Sequence, residues 1–411
     1  MPTPSHSSLR FIDLFAGAGG LSVGLSQAGF NGLMASELQP AYAKTYAHNH
    51  AQTLVEVGDI RALDASGTME RLGLKRGDLA LLAGGPPCQG FSINAPRRSA
   101  EDRRNHLFRE FLRFAETLAP RAVLIENVPG LVSFERGATL QAILDSLTSL
   151  GYRADVRILG AAYYGVPQTR WRTIIVGFRD GENPEKAFPH PVANGAIRTN
   201  FTTTFGDKQL VHNPIGKGMR AFTTVEEAIG DLPPLANGER GATVKPYPSK
   251  PMGGYQEAAR QNSDGIRNHE APRLSDINLA RLAHIAPGGN WTDIPEALLP
   301  EGMQRARRSD HTMRYGRVRP DGLASTILTK CDPHWGAYFH YAQARAFTVR
   351  EAARIQSFPD RFQFLGTMAE QYAQVGNAVP PLLAKAIGVA MKRVLEDARS
   401  LETRCSHSLQ I

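Results

Sequence analysis

Through residue 180, short apolar runs that stop at a glycine or a charged side chain alternate with stretches patterned as helices. Residues 11–15, 33–36, 79–83, 122–126 and 172–177 read as strands, being too short for helices and rich in aliphatic side chains. This alternation specifies an α/β fold, a doubly wound and mostly parallel sheet with helices between its strands. It also dictates where ligands go, because open α/β sheets bind them beyond the carboxyl ends of their strands.

The residues at those ends carry chemistry. The first run empties into Ala16-Gly17-Ala18-Gly19-Gly20 ahead of a helix starting near Leu21. Glycines let a ligand approach the backbone, and a helix start offers free N–H groups. The spacing Asp13-x-Phe15-x-Gly17-x-Gly19-Gly20 is not the dinucleotide fingerprint. Glu37, after the second run, is placed to accept hydrogen bonds from a ribose diol, and Asp59 in Gly58-Asp59-Ile60 to accept one from an adenine amino group. Gly84-Gly85-Pro86-Pro87-Cys88-Gln89-Gly90-Phe91-Ser92 follows the third run. Prolines and glycines there forbid a packed helix or a central strand, so Cys88 is presented as a nucleophile would be. Glu126 ends the fourth run, and Arg170 and Arg172 alternate onto one face at the start of the fifth.

Beyond residue 184 the character changes. Pro and Gly cluster, and Arg305, Arg307, Arg308, Arg314, Arg317 and Arg319 accumulate in a loop-rich module that runs to residue 345. Helical patterning returns over 349–356 and 381–395, and the tail after residue 400 reads as unstructured. With 47 Lys+Arg against 39 Asp+Glu, the net charge of +8 favours an anionic partner. Three scattered cysteines exclude a disulfide framework or a zinc cluster, and the histidines lack metal-ligand spacing, so no metal is expected. The polar N-terminus and the absence of an eighteen-residue apolar run argue for a cytoplasmic protein without membrane insertion.

Taken in order, these motifs resemble the DNA (cytosine-5)-methyltransferases, particularly the bacterial enzymes of restriction-modification systems. The likeness runs through Phe11-Ile12-Asp13-Leu14-Phe15-Ala16-Gly17-x-Gly19-Gly20, Glu37, Gly58-Asp59-Ile60, Pro86 to Ser92 and Arg104-Asn105-x-Leu107-Phe108. It continues through Glu126-Asn127-Val128, Gly165-Val166-Pro167-Gln168-x-Arg170-x-Arg172, Arg350 to Pro359 and Gly376-Asn377-Ala378-Val379-Pro380. The related tRNA-modifying branch usually carries a Cys-Phe-Thr motif in its second domain, which this chain lacks.

The resemblance implies S-adenosylmethionine as methyl donor, cradled by Phe15, Ala16, Gly17, Gly19 and Gly20. Glu37 would bind its ribose and Asp59 with Ile60 its adenine, while Pro86 and Leu107 pack nearby and Asn377 and Ala378 close the methionine end. Leu38 stands where many relatives carry an aromatic that stacks on adenine. Cys88 would attack cytosine C6, Glu126 would hold N3 and N4, Arg172 would donate to O2, and Arg170 would support substrate and loop. Duplex DNA is the implied partner, held by Gln89, Ser92, Arg97, Arg98 and Arg103 beside the nucleophile. A target-recognition domain would add Arg305, Arg307, Arg308, Arg314, Thr326, Thr329 and Lys330. The expected division is a catalytic domain over 1–188 completed by 365–400, a target-recognition domain over 189–364 with the helix 348–359 at the junction, and a flexible tail over 401–411. A monomer working beside a cognate restriction endonuclease completes the expectation.

Overall fold

The computed structural model describes residues 9–87, 107–179, 181–212 and 219–408, with side chains to residue 398. Its first part runs β1 (Arg10–Leu14), α1 (Gly20–Gln27), β2 (Asn31–Glu37), α2 (Pro40–Asn49), β3 (Leu54–Val57), α3 (Ala65–Arg71) and β4 (Leu81–Gly84). After α4 (Phe108–Leu118) come β5 (Ala122–Asn127), α5 (Ala138–Ser149), β6 (Arg153–Gly160) and β7 (Trp171–Phe178). Among the described residues these strands form a seven-stranded sheet in the order β3-β2-β1-β4-β5-β7-β6. The first five positions are parallel, and β7 runs antiparallel to both of its neighbours.

Ile12, Leu14, Leu81, Leu82 and the run from Val123 to Ile125 are wholly buried. Strands covered on both faces need apolar side chains at every position, which is why the sequence shows continuous runs rather than alternation. Two strands escape the sequence reading. β3 is four residues long with exposed Leu54 and Val57, and β6 interrupts its apolar residues with Arg153, Asp155 and Arg157.

The chain divides into two compact units, and the division is discontinuous. The first holds residues 1–160, 171–218 and 381–411; the second holds 161–170 and 219–380. In this division 365–380 belongs with the second unit and 189–218 with the first. The final helix, α12 (Pro381–Ser408), packs on α1, and it reaches into the segment expected as a flexible tail. Gly24 permits the crossing, because a Cβ there would lie 2.4 Å from both Ala384 Cβ and the Pro381 carbonyl oxygen. Gly24→Val is expected to cost about 3 kcal/mol, as overpacking does, measured as a lower urea midpoint; an unchanged midpoint would refute the tight crossing.

The second unit contains α6 (Val225–Ile229), α7 (Gly254–Arg260), α8 (Asp276–Ala283), α9 (Glu301–Gln304), α10 (Val349–Ile355) and α11 (Met368–Asn377). One apolar cluster includes Leu282, Ile285, Trp291, Ile294, Tyr315 and Phe339. Around α10 the polar groups are buried but paired. Thr348 and Glu351 form a reciprocal cap, and Arg345 holds both Glu351 oxygens at 2.7 and 2.8 Å. Arg354 bridges Asp360 and Asp231, while Arg350 donates to the carbonyls of Arg267, Pro359 and Phe362. Buried charge survives only when so satisfied, so this arginine-rich block acts as an internal tie.

Candidate active site

Strand order reverses between β1 and β4, and the crevice beyond their carboxyl ends is the favoured ligand position of such a sheet. Register aligns the edge: Leu14 pairs with Ser36 and Gly84, Glu37 with Val57, and Gly84 with Ile125. Phe15, Glu37, Gly58, Gly85 and Glu126 therefore occupy one rim. The antiparallel β7 brings Thr173 opposite Asn127, which delivers Arg172 to the same place.

The turn after β1 is held in a demanding conformation. Phe15 has φ 60°, followed by Gly17 at 58° and Gly19 at 100°. A left-handed bulky residue is costly and is a mark of functional turns. Nothing lies within 4 Å of the Cβ position at Gly17, which leaves open space above the turn, whereas a Cβ at Gly19 would meet His50 Nε2 at 2.6 Å. The Gly17 N–H donates to Glu37 Oε2 and the Gln39 N–H to Oε1, each at 2.8 Å. Burial raises the Glu37 carboxyl above its usual range, and these backbone donors oppose the rise. The Gly58 N–H donates to the Glu37 carbonyl at 3.0 Å, bringing Asp59 alongside. Asp59 is held at about 2 by hydrogen bonds from the side chain and backbone of Arg61. Leu38 is 58% exposed, Ile60 and Pro86 are buried, and Leu107 caps the start of α4. Carboxylates beside an open glycine turn and an exposed aliphatic surface suit the diol, amino group and ring of an adenosine.

Beneath the turn lies a group that the sequence reading passed over. Asp13 is 1% exposed; its Oδ2 accepts from Ser22 Oγ at 2.6 Å, and Ser22 Oγ accepts from Tyr46 Oη at 2.7 Å. A carboxylate inside the run Phe11-Ile12-Asp13-Leu14 was the signal for it. Burial raises Asp13 to about 7, with Ser22 opposing and Glu37 reinforcing the shift. The folded chain thus keeps a proton that the unfolded chain releases near pH 4. Its contribution to stability is full below about pH 4 and declines as pH rises to about 7. Asp13→Asn is expected to flatten the dependence of Tm on pH across that window; curves parallel to the parent's would contradict a protonated Asp13.

On the other half of the rim, Arg172 Nε lies 2.5 Å from Glu126 Oε1, and its Nη1 donates to the Trp171 carbonyl at 2.8 Å. Both side chains retain 12% exposure, so the pair can still meet a ligand. A Cβ at Gly85 would lie 3.0 Å from Glu126 Oε2, so the glycine leaves the carboxylate its room. Asn127 Nδ2 donates to the Pro86 carbonyl at 3.2 Å while Oδ1 accepts from the Val128 N–H, tying the end of β5 to the turn that leads to the cysteine. Cys88, Gln89, Ser92, Arg97, Arg98 and Arg103 lie outside the described residues.

Arg170 is placed differently from Arg172. β7 begins at Trp171, so strand alternation does not apply to Arg170, and the two arginines fall in different units. Arg170 is 1% exposed, and its guanidinium donates to the carbonyls of Ile327, Gly376 and Ala378 at 2.9 to 3.1 Å. It is a structural tie within the second unit. Thr326 is likewise engaged, donating to the Thr169 carbonyl at 2.8 Å. Arg305, Arg307, Arg308, Thr329 and Lys330 are exposed, whereas Arg314 is half-buried. Asn377 is exposed at the end of α11 and Ala378 caps it. Cys331 is buried, and burial pushes its thiol up, as befits an inert core cysteine.

Among the described residues no group of His, Cys, Asp and Glu could hold a metal ion, and no helix is long and apolar enough to cross a membrane. The chain is 34% identical to the Type II methyltransferase M.AgeI of Thalassovita gelatinovora, over 93% of this chain and 99% of that one. It is 35% identical to M1.HphI of Haemophilus parahaemolyticus, over 94% and 87%. A crystal structure of a DNA modification methyltransferase encoded within an E. coli prophage superposes with a TM-score of 0.71 at 25% identity, covering 95% of this chain and 100% of that one. Residues 9–393 match the family description as a whole. With sheet order, rim and sequence in agreement, the chain belongs to the C-5 cytosine-specific DNA methylases, enzymes that use S-adenosylmethionine.

Proposed function

We propose that this enzyme methylates C5 of one cytosine within a short duplex sequence, through a covalent link between Cys88 and C6 of a flipped-out base. The observation that carries the reading is the Glu126–Arg172 pair at the rim, beside the turn that leads into Cys88. Cytosine C5 is a weak nucleophile until the ring's aromaticity is broken. A Cys88 thiolate adding to C6 does this, provided N3 is protonated or strongly hydrogen-bonded. Glu126 serves N3 and accepts from the N4 amino group, which selects cytosine over thymine. Arg172 orients Glu126 and donates to O2. Once C5 carries the methyl group, loss of its remaining proton to water expels Cys88 as the thiolate and restores the ring.

S-adenosylmethionine, when bound, supplies an activated methyl group. Phe15, Ala16, Gly17, Gly19 and Gly20 would cradle it, Glu37 would bind its ribose, and Asp59, Ile60, Leu38, Pro86 and Leu107 would surround its adenine. Asn377 and Ala378 would close the methionine end. A base stacked in a duplex is out of reach, so the cytosine leaves the stack at a cost of a few kcal/mol. Gln89, Ser92, Arg97, Arg98 and Arg103 hold the DNA near the nucleophile, and the exposed arginines of the second unit grip phosphates and read bases. The relatives' Type II names support a protective role beside a cognate endonuclease, with the protein acting as a cytoplasmic monomer. Bisulfite sequencing of DNA from a methylation-deficient host expressing the chain is the test. Conversion-resistant cytosines in one consensus are expected; uniform conversion would overturn the reading.

A further inference from the structure

We propose that Trp335 and Arg314 form a stacking platform for a nucleobase of the bound duplex, an inference that rests on the DNA-methylation reading above. Trp335 is 53% exposed, while Trp291 and Trp171 are buried. The Arg314 guanidinium carbon sits 5.0 Å from the centroid of the Trp335 ring, so the exposed aromatic already carries a cation on its face.

The support beneath this pair is stiff. The Tyr315 N–H donates to the Pro333 carbonyl at 2.6 Å, the Phe339 N–H to the Gly316 carbonyl at 3.1 Å, and the Trp335 N–H to the Asp332 carbonyl at 2.9 Å. Asp332 Oδ1 also accepts from the His334 N–H at 2.9 Å. A Cβ on Gly316 would lie 2.5 Å from Ala337 Cβ, so the two segments touch backbone to backbone. Tyr315 is fully buried although its φ is 50°, a strained conformation held by packing. A platform fixed in advance loses little freedom on binding.

Charge selects the partner. From Arg305 to Trp335 there are seven basic side chains against three acidic ones, and Arg305, Arg307, Arg308 and Lys330 are exposed. An exposed aromatic face that carries an arginine, in a segment rich in exposed cations, suits a polyanion whose bases offer flat faces. Extruding a cytosine uncovers the faces of its neighbours, and an indole can cover one of them.

The full-length protein, loaded with S-adenosylmethionine, should be titrated with a duplex carrying the bisulfite-mapped sequence and with a scrambled duplex of equal length. Tryptophan emission is expected to be quenched by the first only, and W335F to abolish the quench. W335A and R314Q are expected to weaken DNA binding by about tenfold or more while leaving cofactor affinity unchanged. Quenching that persists in W335F, or W335A binding DNA within twofold of the parent, would overturn the platform. If the parent protein transfers methyl to no DNA, the underlying reading fails instead.

Discussion

Cys88→Ser is expected to bring methyl transfer to DNA down by at least roughly 10³-fold while cofactor binding persists, because a hydroxyl at neutral pH lacks the thiolate's nucleophilicity. The site loses a bond-forming group and little else. The Gly17 N–H, Glu37 and Asp59 belong to the turn after β1, the end of β2 and the loop after β3, where Gly17 donates to Glu37 and Arg61 to Asp59. Two measurements separate the roles: calorimetric cofactor affinity, expected within a few-fold of the parent, and tritium transfer to duplex DNA, expected at background. DNA containing 5-fluorocytosine should trap the parent as a denaturation-stable adduct and leave the serine variant free. Retained turnover in the variant would eliminate Cys88 as nucleophile.

Glu126→Gln is expected to lower kcat by about 10²- to 10⁴-fold, the range for losing a positioned proton donor or acceptor. The amide keeps the shape but cannot supply a proton to N3, and it leaves Arg172 facing a neutral group instead of a carboxylate at 2.5 Å. Because the lost interaction strengthens as charge develops on the ring, kcat and kcat/KM should fall together with little change in DNA affinity. A kcat within tenfold of the parent would show that N3 is served by another group.

Glu37 and Glu126 were readable because each stands at the end of a run whose burial is local. Glu37 is the last residue of β2 and Glu126 the penultimate residue of β5, and an apolar run that stops at a carboxylate marks the edge of a buried strand. Asp13 was harder, since one acid inside such a run gives no hint that Ser22 and Tyr46 will satisfy it. Likewise α10 was visible from its pattern, but neither its Thr348–Glu351 cap nor the use of Arg345, Arg350 and Arg354 as internal ties was.

The amino-acid order alone determined the α/β class, the glycine turn and the positions of Glu37 and Glu126 at strand ends. Tertiary structure alone decided which arginine meets the carboxylate. Arg170 and Arg172 differ by two residues, yet Arg172 pairs with Glu126 while Arg170 reaches carbonyls 157 to 208 residues away. Periodicity reports how a side chain is oriented within its own element. The partner of a long, charged side chain is set by which distant segment folds against it, and no local pattern encodes that.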